Sequence, residues 1–132
     1  MAAVSKSGTP SLASVLPPQN CQLAGLLAGE AIAAGDACYI NASGAIIRST
    51  GAAANAAAKV RGYAAEAVAS GEAVTLVWDV NLRYGSGLTP GADYYLSGTT
   101  PGGLDTVAST GGTAPVAYAV DATRVRVFQS RY

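Results

Sequence analysis

The chain contains no histidine. That removes every Ser–His and Cys–His nucleophile pair and every metal site that needs an imidazole. Its two cysteines, Cys21 and Cys38, are separated by sixteen residues with no local partner ligands, which is not zinc-site spacing. In a reducing compartment two free thiols are favoured over a disulfide. The acids are Glu30, Asp36, Glu66, Glu72, Asp79, Asp93, Asp105 and Asp121, and they fall singly at turns and strand ends. Glycoside chemistry would need two of them held across a cleft, whereas lone turn acids serve as caps and solvated charges. Gly85-Ser-Gly87 resembles the start of a phosphate-binding loop, but no Gly-Lys-Ser/Thr follows and no helix is expected after it. The residues therefore predict no enzyme, no cofactor and no metal.

Nucleic acid is a poor fit as a partner. The formal net charge is zero, and the basic residues are dispersed, so the clustered Lys and Arg that phosphates require are missing. Only Lys6 among the eight lies in the first twenty residues. The tyrosines say more. They supply seven of the nine aromatics, and a ring carrying a hydroxyl suits a surface that is half buried by a neighbour. Tyr63, Tyr84, Tyr95 and Tyr132 are the candidate interface rings, while Tyr94, Tyr118 and Trp78 are assigned to the core. The rings do not cluster on one face in the way a sugar-binding platform would.

Positioning these side chains falls to short strands. Three segments share the order apolar-x-x-Gly-x-x-apolar-x-apolar. They are Ile32-Ala-Ala-Gly35-Asp-Ala-Cys38-Tyr-Ile40, Val68-Ala-Ser-Gly71-Glu-Ala-Val74-Thr-Leu76 and Leu88-Thr-Pro-Gly91-Ala-Asp-Tyr94-Tyr-Leu96. Gly35, Gly71 and Gly91 each suit a turn that needs positive φ, and the alternation after each is the period of a half-buried strand. Asn41-Ala-Ser-Gly44 is a turn into Ala45-Ile-Ile-Arg48. Val74, Leu76, Trp78 and Val80 are predicted on one face, as are Val116, Tyr118 and Val120. Val125 and Val127 share one face of the last strand, with Arg124 and Arg126 on the other. Residues 51–58 read as an alanine-rich loop with at most a helical turn. The expectation is an all-β fold, a small β-barrel or β-sandwich of some eight to ten short antiparallel strands over residues 21–132.

Residues 1–20 differ in texture. They are rich in Ser, Pro, Gly and Thr and end in Leu16-Pro17-Pro18-Gln19, so they are expected to form an extended N-terminal arm. Leu12, Val15, Leu16, Pro17 and Pro18 are its candidate contacts with a neighbour. No run has the roughly 18 apolar residues of a membrane span, and no apolar leader follows Met1; a non-membrane, cytoplasmically synthesised chain is the expectation. Charged residues make up only 12%, about half the usual share. Abundant alanine explains part of that, and a surface completed by other chains explains it equally well.

The segments Gly29-Glu-Ala-Ile-Ala-Ala-Gly-Asp36, Val60-Arg-Gly-Tyr-Ala-Ala-Glu-Ala-Val-Ala-Ser-Gly-Glu-Ala-Val74, Gly87-Leu-Thr-Pro-Gly-Ala-Asp-Tyr-Tyr-Leu-Ser97 and Pro115-Val-Ala-Tyr-Ala-Val-Asp-Ala-Thr-Arg-Val-Arg-Val127 together resemble tailed-bacteriophage capsid cement and head decoration proteins. The resemblance is spread over about residues 22–128 rather than held in one signature. It implies a β-barrel-like domain, commonly a homotrimer, seated on the exterior of the virion over junctions of the major capsid protein. It implies no catalytic residues, and an arm that reaches across the shell or to a sister subunit. Many modest contacts on a symmetric lattice would sum to a strong clamp. The Gly-Leu-Thr-Pro-Gly-x-x-Tyr-Tyr-Leu piece also resembles modules of phage head fibres and tail fibres, which makes a fibre or receptor-binding module the alternative. Leu88-Thr-Pro-Gly91-x-x-Tyr94 matches a stretch of the fibronectin type III fold as well. Against that fold, Ser97-Gly-Thr-Thr-Pro-Gly-Gly103 breaks the strand early, and Trp78 lies only ten residues before Leu88.

Overall fold

Glycine turns set where the strands begin. A computed structural model describes residues 3–6, 8–12 and 21–130. Gly35, Gly71 and Gly91 adopt φ of 81°, 88° and 83°, a region that a Cβ disfavours, and a strand starts two residues after each. Among the described residues the strands are β1 (Ser11–Leu12), β2 (Gln22–Leu27), β3 (Ala37–Ile40), β4 (Ile46–Arg48), β5 (Gly62–Ala64), β6 (Ala73–Val77), β7 (Val80–Arg83), β8 (Asp93–Leu96), β9 (Leu104–Asp105), β10 (Ala117–Ala119) and β11 (Arg124–Val127). The alanine-rich loop holds one 3-10 turn, Ala56–Ala58, capped by the Asn55 side chain, which accepts from the Ala57 N–H.

The strands form two antiparallel sheets, β1-β7-β11-β10-β8-β9 and β2-β6-β5-β3-β4, and so a small β-sandwich. The crossing between them is abrupt. A continuous apolar face over residues 74–80 was the expectation from alternation, but the chain turns at Trp78–Asp79. Asp79 takes φ of 55° and its N–H donates to the Val127 carbonyl at 2.7 Å, while the Trp78 N–H donates to Cys21. β6 and β7 thereby enter different sheets, and Trp78 is half-buried instead of lying in the core.

Both sheets have their edges partly covered. In the five-stranded sheet a bulge between Leu23 and Leu26, with Gly25 at φ 94°, bends β2. Its end then meets β4 through a parallel Ala28–Ile46 bridge, so the sheet curls back on itself. In the six-stranded sheet the N-terminal segment does the covering. Ala3 bridges Asp105 of β9 at one edge, and Ser11–Leu12 pair with Arg83 and Leu82 of β7 at the other. The described part of the arm thus lies along its own body, and Leu12 spends its backbone pairing within the chain. Val15, Leu16, Pro17, Pro18 and Tyr132 lie outside the described residues.

Two apolar clusters result. One lies between the sheets and joins Tyr63, Val77 and Val60 to Leu82, Tyr94, Leu96, Val125 and Val127. The other fills the curl of the five-stranded sheet with Ile32, Cys38, Ile46, Ala64, Val74 and Leu76. Burying each such large side chain stabilises the fold by about 1.5–3 kcal/mol before chain entropy is counted.

Candidate interaction surface

Alternation gives the six-stranded sheet a buried and an open face. Val80, Leu82, Ala117, Ala119, Val125 and Val127 point inward and are buried. Asn81, Arg83, Asp93, Tyr118, Arg124 and Arg126 occupy the intervening, outward positions. Strand register assembles them into rows. Asn81, Arg126, Tyr118 and Asp93 stand side by side across β7, β11, β10 and β8. Arg83 stands directly opposite Arg124.

Like charges in opposed positions repel, and Asp121 relieves this pair from one side. Its carboxylate accepts from Arg124 Nε at 2.7 Å and from the Arg124 N–H at 2.8 Å. It also accepts from the Thr123 N–H. The Thr123 backbone bond, followed by the Arg124 side chain, holds the Asp121 pKa down at about 2. The other ion pairs among the described residues are Lys6–Asp36 and Arg48–Glu30, so Arg83 and Arg126 keep uncompensated charge. Arg126 is only tethered, Nη1 to Asn81 Oδ1 at 3.5 Å.

An aromatic pair sits beside these arginines. Tyr118 is 40% exposed, and its ring leans on Phe128 at 6.2 Å between centroids with a 43° tilt. Tyr and Arg on a rigid sheet are the residue types that anchor protein interfaces. Tyr118 was expected inside with Val116 and Val120. Val116 is fully buried as expected, but β10 runs with Ala117 and Ala119 inward, packed with Tyr94 and the β11 valines, and Tyr118 outward. Arg124 and Arg126 do share the outward side, which was the part of this surface visible in the sequence. Arg83 and Phe128 carried no such signal.

Two predicted interface rings are corrected. Tyr63 is fully buried, and its hydroxyl donates to the Val116 carbonyl at 2.9 Å, tying one sheet to the other. It lies on β5, an interior strand covered by the opposite sheet, and so has no outer surface to offer. Tyr84 is likewise 1% exposed. Burial first, and the Asp36 charge second, push its hydroxyl pKa upward, with the Leu104 backbone partly offsetting them. Tyr95 is half-buried.

The remaining titratable cluster holds the arm down. Lys6 Nζ reaches Asp36 Oδ1 at 2.6 Å and the Ala34 carbonyl at 3.1 Å, and lies 5.8 Å over the Tyr84 ring. Asp36 Oδ2 accepts from the Ala33 N–H. Pro10 fits against Gly35, where an added Cβ would lie 2.9 Å from the Pro10 Cβ. Cys38 beneath donates to the Asp36 carbonyl. Its thiol pKa is driven up chiefly by burial, then by the Asp36 and Glu30 charges. The Lys6 and Asp36 charges in this group are directed at each other, while the buried Tyr84 hydroxyl has no hydrogen-bond partner among the described residues.

Among the described residues no three acids or cysteines converge as a metal site. A surface hollow of about 390 Å³ between residues 54–59 and 110–113 carries Lys59 and no carboxylate. Among the described residues no helix is long and apolar enough to cross a membrane. Compared with known proteins, the chain matches no family model and no curated sequence.

Proposed function

We propose that the protein is a non-enzymatic structural component of a phage virion, a cement that assembles with copies of itself and binds the outside of a major capsid shell. The observation that supports this reading most is the Arg83–Arg126–Tyr118–Phe128 surface. It places uncompensated cations beside an exposed aromatic pair on a rigid sheet. Partly covered sheet edges support the same reading, because they leave the faces as the larger open surface. The sparse charge of the chain fits a surface that neighbours complete.

The test is cosedimentation of the purified protein with expanded, empty shells of its own phage. The expected result is saturable binding at a fixed ratio to capsid subunits, with shells that withstand higher temperature once coated. A protein that ignores expanded shells overturns the reading. If the same preparation instead binds host polysaccharide, the protein is a fibre or receptor-binding module.

A further inference from the structure

The arginine face has a counterpart on the same molecule. A chain with formal net charge zero that leaves cations outside ion pairs leaves anions outside them too; Asp93 is one on the arginine face itself, and others lie away from it. The β5–β6 connection, residues 65–72, holds Glu66 and Glu72. Both are exposed, and neither belongs to an ion pair among the described residues. Glu72 keeps its place by accepting from the Ala69 N–H at 2.6 Å. Directly beside this connection stands Leu27, at 55% the most exposed of the large apolar side chains described. Leu27 pairs with Ala73 in register, and the Ala28 N–H donates to the Glu72 carbonyl. Exposed Ala73 faces it in register, and exposed Ala67 and Ala69 lie in the same connection. They add apolar surface without bulk, so another backbone can approach closely.

Each patch thus has an apolar anchor flanked mainly by one sign of unpaired charge, with Asp93 beside Tyr118 the exception on the first. The first is Tyr118–Phe128 with Arg83 and Arg126. The second is Leu27 with Glu66 and Glu72. They lie on different sheets, so one copy cannot satisfy both by itself. We infer that the acidic Leu27 end of one copy docks on the arginine–aromatic face of the next. The contact joins unlike patches, so copies add head to tail, and the series closes into a ring where the rotation allows. This inference rests on the self-assembling role proposed above and names the partner of that surface.

Arg83 and Glu66 are the residues to exchange. Both are exposed, and reversing either leaves the core untouched. Sedimentation equilibrium of the full chain in about 50 mM salt reads the result, with melting curves to confirm folding. Wild type is expected to self-associate, more weakly in about 500 mM salt. Arg83→Glu alone and Glu66→Arg alone are each expected to raise the dissociation constant roughly tenfold, since a favourable pair becomes a repulsive one. The double variant Arg83→Glu/Glu66→Arg restores the pair with reversed sign. It is expected to return to within about threefold of wild type. A wild-type chain that stays monomeric in low salt overturns the inference. So does a loss confined to Arg83→Glu, or a double variant no better than the singles. If such a chain still coats shells, the cement reading stands and only the head-to-tail contact falls. A chain that associates as described but ignores shells separates the two the other way.

Discussion

Replacing Lys6 with Met should release the N-terminal strap from the body. The magnitude follows from the site. Asp36 is 5% exposed, and Lys6 Nζ, 2.6 Å away, is the one cation paired with it among the described residues. Removing one partner of a fully buried ion pair costs about 3–5 kcal/mol, because the other charge is left uncompensated. Two features reduce that here. The Lys6 side chain is 23% exposed, so part of the attraction is screened, and Asp36 keeps its hydrogen bond from Ala33. A loss of about 2 kcal/mol is the resulting expectation, which lowers the melting temperature by roughly 5–10 °C for a domain of this size. Asp36→Asn should cost less, because the amide keeps the shape and Lys6 can turn to water. The double variant Lys6→Met/Asp36→Asn should lose less than the two singles together, with a coupling of about 1–2 kcal/mol. Hydrogen exchange localises the effect. The Val4 amide, which donates to Leu104, and those of the Ser11–Leu12 strand should lose protection while β10 and β11 keep theirs. Strictly additive variants, or unchanged exchange along the strap in Lys6→Met, would refute the argument.

Other outcomes follow from the same structure. Gly35→Ala places a side chain at φ 81° and against Pro10, so it should cost about 1–2 kcal/mol and shift the strap, read as a lower denaturant midpoint. Tyr63→Phe removes the bond to Val116, but that carbonyl still accepts from the Phe128 N–H. The loss should therefore stay near 1 kcal/mol by chemical denaturation. Acid should weaken the fold through depressed carboxylates. Asp121 is held at about 2 against an ordinary 3.8. For Glu30, burial pulls upward, but bonds and charge from Arg48 outweigh it and hold the pKa below its usual 4.5. Because both folded pKa values are lowered, their contribution is complete above about pH 5 and disappears as pH falls toward 2. Melting curves across that window should show a decline that Arg124→Gln and Arg48→Gln each make shallower. Cys38, buried and with its thiol pKa raised, should resist alkylation at pH 8 until denaturant opens the fold, as mass spectrometry would show.

How far the residues announced this architecture depends on the range of the interaction concerned. Turn chemistry is local, so the glycine echoes located three strands and their starting points without tertiary information. Val125 and Val127 inward and Arg124 and Arg126 outward also follow from a two-residue period. Phase fails where the competing side chains are small. In Ala-Tyr-Ala the period permits either tyrosine in or tyrosine out, and the decision comes from what Tyr94 and β11 have already filled. Tyr63 and Tyr84 went wrong for a related reason. A tyrosine is equally at home under a sheet if its strand is an interior one, and strand order is not written in local pattern. The Trp78–Asp79 crossing was invisible because Val74, Leu76, Trp78 and Val80 keep a two-residue apolar period straight through it. Only the pairing of Asp79 with Val127, across distant sequence, bends the chain there. Pairing of residue 3 with residue 105, and of residue 11 with residue 83, lies equally beyond local reading.

Those two distant pairings also bear on how the protein can associate. An open edge offers a row of unpaired amides to any extended segment, and many β-proteins recruit partners or aggregate through it. Here the Ala28–Ile46 bridge joins the edges of one sheet at one end, while residues 3–4 and 11–12 lie along the edges of the other. Adding a strand at β7 or β9 therefore requires displacing the strap, at the cost of exposing Asp36. Faces remain, and on them the alternation of short strands leaves side chains to decide the partner. An arginine–aromatic row at one place and a glutamate-flanked leucine at another give such faces polarity. A body of this kind is suited to making several shallow, oriented contacts at once, each weak alone and strong when a lattice repeats them.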